Sequence, residues 1–311
     1  MKKSHCHIRE KQIVTLKQVY DFITNNKHKY SISRMCSVLS VSKSRYYEYS
    51  KHTPSQHELD EIRLTTLIRD IWLDSHMRYG APKIDVILRK KYNENVGIKR
   101  IQRIMSENQI KSITVKKFRP TKNIKLPDQK RENILNRDFS ATHKNEKWVS
   151  DITYVWTTND GWCYLATILD LCTKKIVGWT FGREMTVELV QQALKNAIYN
   201  EGLNTTLILH SDQGSQYTAD AYEQLCKSMK VLNLSYSGKG CPYDNAPMES
   251  FNSIIKKELI NHMVYRDFNE ARYSIFEFIE HWYNRTRIHS SIGNKSPIEF
   301  EQELLYQVGL T

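Results

Sequence analysis

Residues 147–158 read KWVSDITYVWTT, a run of β-branched and aromatic residues with one acid at its centre. Trp, Val, Ile, Thr and Tyr fit a pleated, half-buried strand; Asp151 does not, and β propensity leaves it unexplained. A turn signal, NDG at 159–161, follows, then WCYLATILDL (162–171) and KKIVGWTFG (174–182). Two turn-linked strands with a third close behind predict a three-stranded antiparallel meander.

Further along, TVELVQQALKNAIYN (186–200) places Val187, Val190, Ala193, Leu194, Ala197 and Ile198 on one helical face. TTLIL (205–209) supplies a buried strand, a helix is expected from about Thr218 to Lys227, and VLNLS (231–235) is a short strand. The order of three strands, helix, strand, helix, strand, helix is an α/β order compatible with a ribonuclease H type of sheet. Order alone does not separate it from other mixed sheets.

Two more acids stand at comparable places. HSDQGSQY (210–217) leaves the fourth strand and at once presents Asp212, either a solvated turn or a site at a strand end. Glu249 opens the helix NAPMESFNSIIKKEL (245–259), whose Met248, Phe251, Ile255 and Leu259 face inward while Glu249, Asn252, Ser253 and Lys256 share the other face. If the centre of the first strand lies beside the end of the fourth, Asp151 and Asp212 are neighbours and the helix brings Glu249 to them. Three converging carboxylates repel unless a cation sits among them, and hard divalent ions suit oxygen ligands. Two magnesium ions, roughly 4 Å apart, stabilise the attacking and leaving oxygens of an in-line phosphoryl displacement.

The front of the chain has another character. Net charge is +12 over 311 residues, but residues 1–147 hold 32 Lys and Arg against 15 Asp and Glu, and residues 148–311 hold 14 against 19. A basic front joined to a mildly acidic back is the electrostatic footprint of a polyanion binder, or else a merely soluble basic surface. Ile32, Met35, Cys36 and Leu39 sit at helical spacing, and Ser42 caps a short helix carrying Lys43, Arg45, Tyr46 and Tyr47. A second unit has the stripe Leu64, Leu67, Ile68, Ile71 and Trp72, then RYGAPKIDVILRKK (78–91) with Pro82 in a first turn. GIKRIQRIMSENQI (97–110) buries Ile101, Ile104 and Met105 and shows Lys99, Arg100 and Arg103 outward. Such helices enter the major groove in helix-turn-helix proteins; an ordinary bundle with a basic face is the other reading.

Six cysteines without a C-x-x-C pair suit a reduced setting, and HCH at His5–His7 lacks a second cluster to complete a zinc site. No run approaches the roughly 18 apolar residues of a membrane span. The chain is expected in the cytosol.

WVSDITYVW, HSDQGSQYT, KGCPYDNAPMESFNSIIKKEL and WYNRTRIHSSIGNKSPIEF together resemble the catalytic half of transposases of the IS-three family of bacterial insertion sequences, relatives of retroviral integrases. MCSVLSVSKSRYYEY and MRYGAPKIDVILRKK, with IKRIQRIM, resemble that family's tandem helix-turn-helix modules.

The resemblance implies a ribonuclease H-like, integrase-type α/β core behind all-α DNA-binding modules. The expected division is a first module at 1–56, a second at 57–120, a basic linker at 121–145, the core at 146–265 and a helical extension at 266–311. It implies a triad of Asp151, Asp212 and Glu249 holding Mg2+ or Mn2+, two ions in all. Lys256 stands where the family places a basic residue that contacts terminal DNA. Asp212 and Glu249 are 36 residues apart by the intervening count, one more than the family's usual interval. The expected activity is DNA cleavage and strand transfer; a regulator inactive without fusion to an upstream reading frame, and a purely hydrolytic nuclease, are the alternatives. Expected partners are duplex DNA with terminal inverted repeats, target DNA, further copies of the chain in a synaptic complex and an upstream-frame protein, with no membrane.

Several residues keep two readings. His210 is either a proton carrier or structural, Asp244 a brace for the Glu249 helix or an extra ligand. Arg285, Arg287 and His289 touch DNA or pack a helical turn.

Overall fold

The computed structural model describes residues 15–51, 53–114, 131–203, 205–307 and 309; the His5–His7 cluster and part of the expected linker lie outside them. The chain divides into two compact units, Met1–Thr66 and Leu67–Thr311.

In the first unit, α1 (Leu16–Asn26), α2 (Ile32–Val38) and α3 (Lys43–Lys51) pack around Tyr20, Ile23, Met35, Cys36 and Tyr46. Helix α1 starts with a reciprocal capping box between Thr15 and Gln18, which satisfies donors that a helix start otherwise leaves free. Ser31 and Ser42 cap the next two helices through their side-chain oxygens. Lys43 and Arg45 are exposed on α3, and Tyr46, next to Arg45, is buried. Leu39, at helical spacing with Met35 and Cys36, is the exposed C-cap of α2.

Helix α4 (Gln56–Asp74) runs across the division. In the second unit, α5 (Ala81–Tyr92) has Pro82 in its first turn, where a missing N–H costs nothing. Asn93 ends it in the left-handed region (φ 54°), a conformation Asn tolerates, and α6 (Ile98–Glu107) follows. Ile84, Leu88, Ile101 and Ile104 are fully buried. Lys99 and Arg103 are exposed and Arg100 is half-buried; Arg103 also pairs with Glu107 at 3.0 Å.

The strands are β1 (Lys147–Thr157), β2 (Gly161–Asp170), β3 (Ile176–Gly182), β4 (Leu207–Ser211) and β5 (Leu232–Tyr236), in the order β3-β2-β1-β4-β5. The first three form the antiparallel meander, while β4 and β5 add in parallel through α7 (Val187–Glu201) and α8 (Asp220–Ser228). This is the ribonuclease H-like α/β sheet. Trp148, Val177, Leu194, Ala197, Leu209 and Tyr222 are among the side chains packed between sheet and helices. Gly178 lets α7 lie directly on β3, since a Cβ there would fall 2.5 Å from the Ala193 carbonyl oxygen.

Helix α9 (Ala246–Glu258) crosses the other face of β1, and α10 (Phe268–Phe276), a π-helical stretch at Glu277–Tyr283 and α11 (Pro297–Gln307) complete the chain. Residues 131–145, expected as linker, are instead fastened to the sheet. Tyr236 donates its N–H to the Glu132 carbonyl, Leu135 N–H donates to Ser235 Oγ, and Leu135 is buried. The buried Leu135, one backbone bond and one backbone-to-side-chain bond to β5 hold this stretch, which a reading based on its charge overlooks. Among the described residues no helix is long and apolar enough to cross a membrane.

Candidate active site

The sheet register brings the acids together. Strands β1 and β4 run parallel with Val149 opposite His210, so two residues further on Asp151 and Asp212 emerge side by side. Glu249 sits in the first turn of α9, whose Met248, Phe251 and Ile255 are buried as the helix spacing predicts. Two side-chain amides fasten that helix to β1. Asn245 Nδ2 donates to the Ser150 carbonyl at 3.0 Å, and Asn252 Nδ2 to Asp151 Oδ2 at 2.8 Å. Asp151, Asp212 and Glu249 thereby line one cleft of about 390 Å3.

Electrostatics sharpen the picture. Burial raises the Asp151 carboxyl to about 7, with the neighbouring charge of Asp212 the next contribution and Glu249 a smaller one. The Ile152 N–H and the Lys256 ammonium pull the other way. Carboxylates gathered in this way favour a proton or a cation among them. Asp212 Oδ1 accepts the Gly214 N–H at 2.9 Å, which shapes the turn beyond β4. Buried oxygens of Gln213, Asn245 and Asn252 have no protein donor, and the first two also line the cleft. An all-oxygen set with raised carboxyl pKa and unpartnered acceptors fits a hard divalent cation. Among the described residues no three His, Cys, Asp or Glu stand close enough to hold a metal as they are.

His210 is fully buried, with Nδ1 on Ser235 Oγ at 2.8 Å and Nε2 on Ser237 Oγ at 2.9 Å; burial lowers its pKa to about 4. Both ring nitrogens are engaged, which favours the structural reading. Asp244 is also buried and accepts from Gly238 N–H (2.8 Å), Asn133 Nδ2 (3.2 Å) and Arg137 Nε (2.6 Å). It braces the loop that forms one wall of the cleft and does not line the cleft itself. Lys256 is half-buried on α9, close enough for its charge to act on Asp151.

Of the two readings for Arg287 and His289, packing is the one their burial favours, since each is 8% exposed. Arg287 pairs with the buried carboxylate of Glu258, and only Arg285 of the three faces solvent. Sequence reasoning overlooked Glu258, although the signal was present: it continues the inward series Met248, Phe251, Ile255, where an acid needs a partner. A larger cavity of about 730 Å3, between β3, α7 and α10, holds none of the three acids.

Comparison with known proteins adds the family context. Residues 141–240 match the model of an integrase core domain, residues 231–297 a second integrase core domain model, and residues 58–118 an HTH-like domain. The "Insertion element IS600 uncharacterized 31 kDa protein" of Shigella sonnei is 38% identical over 269 residues, 86% of this chain and 98% of that one. "Transposase InsF for insertion sequence IS3A" of Escherichia coli K12 is 34% identical over 291 residues, 92% of this chain and 99% of the relative. Among solved structures, the catalytic core domain of BIV integrase is 18% identical, with a TM-score of 0.38 over 53% of this chain and 98% of that one.

Proposed function

This chain belongs to the IS3 family of insertion-sequence transposases, and we propose that its three clustered acids cut and join DNA at the ends of such an element. It is a DNA transposase with an integrase core, a polynucleotidyl transferase. The observation that carries the residue assignment is the convergence of Asp151 from β1, Asp212 from the end of β4 and Glu249 from α9 on one cleft.

In this reading Asp151, Asp212 and Glu249 hold two divalent ions, magnesium or manganese. When bound, those ions activate the attacking oxygen and stabilise the leaving one. The protein's own part is placement. Asn252 orients Asp151, the Asp244 brace sets the 238–241 wall, and Lys256, on the same face of α9 as Glu249, reaches the terminal nucleotides from about 10 Å along the helix. Water first hydrolyses a phosphodiester and frees a 3′ hydroxyl, which then attacks another DNA phosphate and displaces that strand's 3′ oxygen, and no covalent enzyme intermediate is needed.

Duplex DNA carrying terminal inverted repeats is the partner that the basic helices suit. Lys99, Arg100 and Arg103 on α6, with Lys43 and Arg45 on α3, are the proposed contacts, and phosphate neutralisation makes that binding salt-sensitive. The proposed working form is a homo-oligomer in a synaptic complex that brings element ends together, with an upstream-frame protein as a further partner. The bacterial cytosol, at the nucleoid, is the proposed place of action.

Incubating the full chain with a labelled terminal-repeat duplex, target plasmid and Mg2+ tests the reading. Joined products support a transposase; hydrolysis without joining, in this chain and in its upstream-frame fusion alike, makes it a nuclease. Lys256→Ala is expected to retain generic nicking and lose most joining.

A further inference from the structure

Glu258, the last residue of α9, is a buried carboxylate held from three directions. Arg287 grips it as a fork, Nε at 3.1 Å from both oxygens and Nη2 at 2.9 Å from Oε1. Trp282 Nε1 donates to Oε2 at 3.1 Å. From the turn that precedes α5, Arg78 Nε donates to the Glu258 backbone carbonyl at 3.0 Å, while its guanidinium lies over the rings of Trp282 (4.7 Å) and Phe278 (5.3 Å). Arg78, in the turn before α5, is thereby tied to the last residue of the helix that carries Glu249.

Further ties run beside this one. Tyr79 donates its hydroxyl to the Thr286 carbonyl at 3.3 Å and accepts the Ile288 N–H at 3.1 Å. At the far end of α5, Lys90 Nζ donates to the Asn294 carbonyl at 2.7 Å. Both ends of α5 are thus fixed to the 282–294 stretch, which grips Glu258 in turn. Three cations, Arg78, Lys83 and Arg287, surround this one acid, and its charge acts on each of them.

A buried ion pair is a poor way to gain stability, because desolvation offsets most of the attraction; well-packed apolar residues do as well. What it does supply is a fixed geometry, through a two-pronged contact that tolerates little displacement. Glu249 lies nine residues earlier on the same helix, about 14 Å away at 1.5 Å per residue. Helices α5 and α6, with Lys99, Arg100 and Arg103, are accordingly held at a set distance from the acids.

We propose that the Glu258–Arg287 pair, clasped by Arg78 and Tyr79, is the joint that sets which phosphodiester at an element end reaches the cleft. Glu258 is a positioning residue and touches no DNA. The proposal rests on the assignment of the three acids and of α6 as an end-binding element, and it concerns the position of the cut.

The test maps cuts on a labelled terminal-repeat duplex at nucleotide resolution, with full-length wild type, Glu258→Gln and Tyr79→Phe, alongside thermal melting and a gel shift on the same duplex. If the chain alone is inert, the upstream-frame fusion carries the same substitutions. Wild type cuts at one position. In Glu258→Gln the ratio of correct to displaced cuts is expected to fall by up to about a hundredfold, the scale set by a 1 Å misplacement. Tyr79→Phe, which removes one hydroxyl and leaves the ion pair, shifts the ratio in the same direction by less. A merely structural joint would lower melting and total cutting while leaving the cut position unchanged. That outcome in Glu258→Gln overturns the proposal, and if this variant does not fold, an unchanged ratio in Tyr79→Phe does so. Failure of wild type to cut the duplex at all overturns the assigned activity and, with it, this proposal.

Discussion

Asn252 on α9 donates from Nδ2 to Asp151 Oδ2 across 2.8 Å, joining the helix that carries Glu249 to the strand that carries Asp151. Groups that orient a metal ligand commonly change metal affinity by about 10–100-fold when removed. Asn252→Ala is therefore expected to raise the Mg2+ concentration needed for half-maximal cleavage within that range, with little change in melting temperature. An unchanged Mg2+ dependence would show that the contact orients nothing.

Asp244 offers a second handle. Its carboxylate holds the Gly238 N–H and the side chains of Asn133 and Arg137 at once. Asp244→Ala leaves those donors without an acceptor, a cost of about 1–3 kcal/mol for a buried group. The denaturation midpoint should drop accordingly. Arg137, more than half exposed, should matter much less when changed to Ala. Equal effects of the two substitutions would contradict the brace.

The approach of α7 to β3 makes a sharp packing prediction. A Cβ on residue 178 would sit 2.5 Å from Ala193 O and 2.6 Å from Ala197 Cβ. Gly178→Ala must push the helix away and is expected to destabilise by about 1–3 kcal/mol or more. Chemical denaturation measures this directly, and a neutral result would mean that the helix stands further from the sheet.

Much of this was legible in the residues, and the exceptions have physical causes. The β-branched and aromatic run around Asp151 and the period of α9 locate β1, the Glu249 helix and its inward face, because strand composition and helical side-chain direction are local properties. Helix α1 is absent from the sequence reading although Leu16, Val19, Tyr20 and Ile23 stand at helical spacing, because that reading begins its first helix only after Tyr30. The docking of 131–145 depends on single bonds to residues about a hundred positions away, Glu132 to Tyr236, Leu135 to Ser235 and Arg137 to Asp244, which composition does not encode. Arg287 and Glu258 are 29 residues apart, and no local pattern announces that they meet.

Two buried histidines set a pH response. Burial holds His210 down at about 4, and burial together with the Arg287 charge lowers His289 further. Each stays neutral in the folded chain while its unfolded counterpart takes up a proton below about pH 6.5. Their stabilisation is complete above that pH and is lost as pH falls toward 4, by about 3 kcal/mol for His210. Asp151, raised to about 7, acts with the opposite sign: its contribution is present at low pH and is lost as pH rises through 7. Comparison with a variant isolates the histidine. His210→Gln should show a flatter loss of melting temperature between pH 6.5 and 4.5 than wild type, and parallel curves would mean that His210 titrates normally.

The central claim is that Asp151, Asp212 and Glu249 act as one catalytic unit. Asp151→Asn, Asp212→Asn and Glu249→Gln, each in the full chain or its upstream-frame fusion, can be compared with wild type for Mg2+-dependent cutting and joining of a terminal-repeat duplex, with a gel shift on the same DNA. Each substitution is expected to abolish both reactions and to leave DNA binding intact or slightly tighter, since a negative charge near phosphate is gone. Wild-type cutting by any one of the three variants that still binds the duplex would contradict the account.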